Sequence, residues 1–133
     1  PDQRQQDDGV LFMGHGNQKH PGDMVYAAMN HVLSDLSDRV WVATVQGRPN
    51  LDDFLPKLLS LGVRKVWLIP FMAVAGEHAR KDMAGEDPES WQSVLTRNGI
   101  ACEVQLVGLA ENPAIVDIWL DHLREALMSL PEF

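Results

Sequence analysis

Four short apolar runs, rich in β-branched and aromatic residues, recur at Val10–Met13, Val40–Val45, Val63–Phe71 and Cys102–Val107. Their length and composition predict strands. Each is followed by apolar positions at helical spacing. Met24, Ala27, Ala28, Val32 and Leu36 predict an amphipathic helix over Met24–Leu36, and Phe54, Leu55, Leu58 and Leu59 predict another over Leu51–Leu61. After the third run, Asp87 is placed as an N-cap with Pro88 at the first helical position and Gly99 as the end of that helix. Asn112 and Pro113 open a last helix, Ala114–Met128, with Ile115, Ile118, Trp119, Leu123 and Leu127 on one face. A strict β-α alternation with short connections implies a parallel sheet with helices on both faces. The predicted fold is therefore α/β, a four-stranded parallel flavodoxin-like sheet in the order 2-1-3-4. Residues 9–133 form that domain, and the polar "PDQRQQDD", residues 1–8, reads as a linker or flexible N-terminus.

In such sheets ligands bind beyond the carboxyl ends of the strands, at the point where strand order reverses. His15 follows the first predicted strand, Gln46 the second, and His78 lies a few residues past the third. All three belong to one edge. Two neutral imidazoles on a common edge can ligate a divalent metal or accept protons near pH 7. Gly14 and Gly16 on either side of His15 allow a sharp turn and predict room for a bulky ligand. His20 is a weaker auxiliary ligand candidate that reads more simply as a solvated loop residue, and His31 and His122, inside helices, read as structural. The apolar segment "IPFMAVAG" leaves the third strand on the same side. Its Met72, Ala73, Val74, Ala75 and Gly76 suit one face of a flat apolar ligand.

Composition narrows the classes. A net charge of −8 opposes nonspecific nucleic-acid binding, which depends on basic patches. No apolar run approaches the ~18 residues a membrane span needs, and the N-terminal octet is unlike a signal peptide. A cytoplasmic location follows as the expectation, with the single Cys102 as a buried thiol. Lys19, Arg48, Arg80 and Lys81 fall in or beside the loops that carry the histidines, where they can meet an anionic ligand. "GHGN" lacks phosphate-loop spacing, so neither a nucleotide cofactor nor a flavin is favoured, and no Ser or Cys sits in a triad-like setting.

Three stretches, "LFMGHG", "LIPFMAVAGEHARKDMAGEDPESW" and "GLAENPAI", resemble the C-terminal half of the anaerobic cobalt chelatases of the CbiK type. The resemblance covers nearly the whole chain. It implies a fold of two similar α/β halves with a tetrapyrrole between them. The activity it implies is ATP-independent insertion of Co(II), with Fe(II) or Ni(II) as alternative metals, into sirohydrochlorin for cobalamin synthesis. By the same resemblance, His15 and the His78 of "AGEHA" bind the metal and take the pyrrole protons. Gln46 stands where family members tend to carry an acidic residue, so weaker resting metal affinity or a shifted metal preference is expected. The implied partner is a second chelatase half, in the same chain or in a homodimer. A non-catalytic tetrapyrrole- or metal-binding module is the alternative reading.

Overall fold

The computed structural model describes residues 1–19 and 21–130. Strands β1 (Gly9–Gly14), β2 (Val40–Thr44), β3 (Lys65–Pro70) and β4 (Ala101–Val104) form one sheet in the order β2-β1-β3-β4. Every pairing is parallel. Helices α1 (Met24–Leu36), α2 (Leu51–Ser60), α3 (Trp91–Arg97) and α4 (Pro113–Met128) follow the strands in turn. The predicted fold class and strand order are both observed. The reversal of strand order lies between β1 and β3.

The two faces of the sheet differ. Leu11, Met13, Trp41, Ala43, Val66 and Leu68 alternate onto one face and are buried against Leu51, Phe54 and Leu58 of α2 and Trp91 and Leu95 of α3. This is the core. Right-handed crossovers put α1 on the opposite face, because β1 to β2 runs across the sheet against the direction of the later connections. There α1 packs on β2. The Asn30 side-chain amide donates to the Val42 carbonyl at 2.7 Å and its oxygen accepts the Val42 N–H at 2.9 Å. It thereby occupies the free edge of the outermost strand, a place that otherwise invites pairing with another chain.

One expectation needs correction, and two further features go beyond the sequence reading. Helix α3 begins at Trp91 with Ser90 as N-cap, its hydroxyl accepting the Ser93 N–H at 3.2 Å. Asp87 makes a turn instead, accepting the Glu89 N–H at 2.8 Å. Between β3 and α3 the chain forms a π-helical turn, Ala79–Met83, that the periodicity did not suggest. Finally, α4 forms with Asn112 as its cap but buries no residue. It packs mainly against the 3₁₀ turn Leu109–Glu111, leaving Trp119 42% and Leu123 54% exposed. The apolar face read from the sequence is real, and within the described residues nothing covers it.

Candidate functional site

The carboxyl ends of β1, β2 and β3 bring the predicted residues to one edge. The Gln46 N–H donates to the His15 carbonyl at 2.8 Å, and the Val45 N–H to the Gly14 carbonyl at 3.0 Å, so the β1–β2 pairing runs on into the loops. Likewise the Phe71 N–H donates to the Met13 carbonyl at 2.7 Å, continuing β3 alongside β1. The segment after it is held from the other side. Leu109 and Ala110 N–H groups donate to the Met72 and Ala73 carbonyls at 2.9 and 3.0 Å. Ala75 is buried there, while Ala73 and Val74 are exposed and Met72 and Gly76 are half-buried.

The two histidines meet. Their ring centroids lie 4.8 Å apart at an interplanar angle of 78°. They form one contacting pair. His15 is exposed and His78 is 36% exposed at its side chain, so both are accessible from solvent. Each Nδ1 is engaged by an oxygen. His15 Nδ1 lies 3.0 Å from the Gly16 carbonyl, and His78 Nδ1 is hydrogen-bonded to the Asp82 carboxylate. A carbonyl or an ionised carboxylate can only accept, so in the neutral rings Nδ1 carries the proton and Nε2 keeps its lone pair. The two rings in contact thus each keep a nitrogen base at Nε2. Among the described residues, no three His, Cys, Asp or Glu side chains are grouped closely enough to hold a metal.

The glycines beside His15 serve the chain itself. A Cβ at Gly14 would lie 2.5 Å from the Tyr26 ring. At Gly16, φ is +77° and a Cβ would lie 2.7 Å from Thr44 and 2.8 Å from the Gln46 carbonyl oxygen. The space a side chain would take at either glycine is therefore filled by the chain itself. What the glycines permit is the close approach of the β1 and β2 loops, which sets where His15 stands.

The predicted cations divide. Arg48 pairs with Asp53 at the start of α2, its own N–H donating to Asp23 at 3.1 Å, and Lys81 pairs with Glu77. Lys19 and Arg80 are exposed at the same edge. His20 lies outside the described residues. Cys102 is half-buried at β4, where burial pushes its thiol up to about 11, so it is unreactive near neutrality. The sequence reading overlooked Asp82. The available signal was its place four residues after His78 in a helical stretch, where side chains share one side. Next to Asp82 is an open hollow of about 470 Å³, also lined by Glu86, Asp87, Glu89, Ser90 and Trp91 and by neither histidine.

This pairing of motifs on a 2-1-3-4 sheet coincides with a family match over residues 1–128, to the cobalt chelatases (CbiK). The chain belongs to the CbiK family. Sirohydrochlorin cobaltochelatase CbiKC of Nitratidesulfovibrio vulgaris is 44% identical over 132 residues, which is 99% of this chain and 46% of that protein. Sirohydrochlorin cobaltochelatase of Salmonella typhimurium is 38% identical over 122 residues, 92% of this chain and 46% of that protein. This CbiK chain therefore spans about half the length of the curated relatives it matches. No described helix is long and apolar enough to cross a membrane.

Proposed function

We propose that this chain is the metal-handling half of an ATP-independent chelatase that inserts Co(II), and secondarily Fe(II) or Ni(II), into sirohydrochlorin. The observation that carries the reading is the contact of His15 and His78, both with Nε2 unprotonated in the neutral ring, at the switch point of the sheet. Insertion exchanges two pyrrole protons for one divalent cation, with no change of oxidation state. The Nε2 lone pairs hold the arriving metal. Once the metal has passed to the four ring nitrogens, the same lone pairs accept the two protons. Imidazole suits both tasks because the same ring nitrogen can ligate a divalent metal or take up a proton.

Gln46 bears on affinity. Its carboxamide brings no negative charge to M²⁺, so two neutral imidazoles carry the metal and release it readily. Met72, Ala73 and Val74 supply an apolar ledge for one face of the macrocycle, with Gly76 and the buried Ala75 anchoring it. Lys19 and Arg80 meet the propionate and acetate groups, and Arg48 joins them by exchanging its Asp53 partner for a substrate carboxylate. A second α/β half, joined in the same polypeptide or supplied by another copy, closes over the opposite face. The exposed apolar side of α4 supports that pairing.

The test is Co(II) insertion into sirohydrochlorin, followed by the change in its visible spectrum, with the partner half present. His15→Ala and His78→Ala should each lower the rate at least ~100-fold, the scale of general acid–base contributions, with the circular dichroism unchanged. Full activity in both variants would sink the assignment of roles. Tight tetrapyrrole or Co(II) binding without turnover would point instead to a non-catalytic binding module.

A further inference from the structure

We infer that Asp82 is a positioning residue, whose carboxylate fixes the tautomer and orientation of His78 and so keeps Nε2 free for the metal. This rests on the chelatase reading of the histidine pair. The scaffold beneath the contact is anchored in the core. Ala79 and Met83, at the two ends of the π-helical turn, are wholly buried in the core. The turn closes on Gly85, whose N–H donates to the Lys81 carbonyl at 3.1 Å. A Cβ at Gly85 would lie 2.3 Å from that same oxygen, so the closure needs glycine. With both ends anchored, His78 and Asp82 are held on the outer side of the turn at i and i+4, in hydrogen-bond contact.

The partners nearby leave the carboxylate to the imidazole. Lys81, next to Asp82, is engaged by Glu77. His15 needs no such device, because the Gly16 carbonyl already accepts from its Nδ1. The two rings are therefore oriented by different means, one by backbone and one by a side chain. Only the second can be removed by substitution without altering the main chain. Carboxylates behind metal-binding imidazoles act in this way, and their loss costs about 10–100-fold in metal affinity.

The experiment uses ¹⁵N-labelled wild type, D82A, D82N and D82E with the partner half present. The tautomer of His78 is read from its ring nitrogens, and Co(II) affinity by titration with the metal alone. Wild type should show His78 protonated at Nδ1, and D82A should lose that bias and bind Co(II) about 10–100-fold more weakly. Glutamate retains an acceptor-only group and should rescue both readouts better than asparagine, whose carboxamide can also donate and so favours neither tautomer. A space-filling role predicts the reverse order, since asparagine is the closer fit in shape. For insertion, kcat should fall in D82A while KM for the tetrapyrrole stays unchanged.

An Nε2-protonated His78 in the wild type overturns the inference. So does D82A with unaltered tautomer and Co(II) affinity, or asparagine rescuing better than glutamate. The nitrogen spectra and the metal titration need no tetrapyrrole. If they behave as expected while the wild type inserts no cobalt, the chelatase reading fails and the positioning role of Asp82 stands.

Discussion

Asp8 shows how much one side chain can tie together. It is buried, and its carboxylate accepts the indole N–H of Trp67 at 2.9 Å and the Gln5 N–H at 3.0 Å. Burial pushes its pKa up, but those two hydrogen bonds and the charges of Lys65 and Arg4 outweigh it and hold the carboxyl below its ordinary range. A carboxyl depressed in the folded state stabilises fully above its unfolded value of ~3.9, and that contribution is lost as pH falls through the lower folded value. Asp8→Ala leaves the buried Trp67 N–H without its partner and should cost ~1–3 kcal/mol at pH 7 in urea denaturation followed by tryptophan fluorescence. The deficit relative to wild type should shrink below about pH 4. Nothing in the polar octet marks Asp8 for this role, because Trp67 is 59 positions away. His15 differs. A histidine between glycines at the end of an apolar strand is legible as a site, but the use of those glycines, admitting Tyr26, Thr44 and the Gln46 main chain, is decided by neighbours remote in sequence.

Among the elements, helix starts show where local chemistry suffices. Asn112 was readable as a cap because Pro113 follows it, and its oxygen accepts the Ala114 N–H at 3.0 Å. Asp87 before Pro88 carries the same signature and fails. The helix there is set by burial of Trp91 and Leu95 against the sheet, which starts it at Ser90. Tertiary burial outweighs a cap worth ~1 kcal/mol. Asn50 caps α2 in a reciprocal arrangement, its side chain accepting the Asp53 N–H at 3.3 Å while Asp53 accepts the Asn50 N–H at 2.8 Å. Asn50→Ala should cost ~0.5–2 kcal/mol, visible as a lowered thermal midpoint. Its spectral signature at 25 °C should stay native, because Leu51, Phe54 and Leu58 still bury that helix in the core.

At the scale of the whole molecule, the sheet has one completed face and one that is not. Phe12 and Ile69, paired in register on the central strands, are only half-buried on the α1 side, and α4 leaves its own apolar residues in solvent. Exposed apolar surface of this extent is what a protein–protein interface would cover. With another copy of the chain as the occupant, the purified 14.9 kDa chain should sediment as a larger species. Trp119→Asp combined with Leu123→Asp should return it towards 14.9 kDa without loss of helicity. A wild type that sediments as a monomer throughout would show that the α4 face does not recruit another copy.

The sequence by itself determined the α/β class, the strand order, and the edge of the sheet to which the two histidines are brought. Those properties follow from hydrophobic periodicity, chain connectivity and the handedness of crossovers, all of which are local or topological. Only the tertiary structure decided that His15 and His78 touch, that Asp82 stands behind one of them, and that α4 goes unburied. These depend on rotations of a π-helical turn, on which loop approaches which glycine, and on surfaces matched across long separations. No short window of residues contains that information.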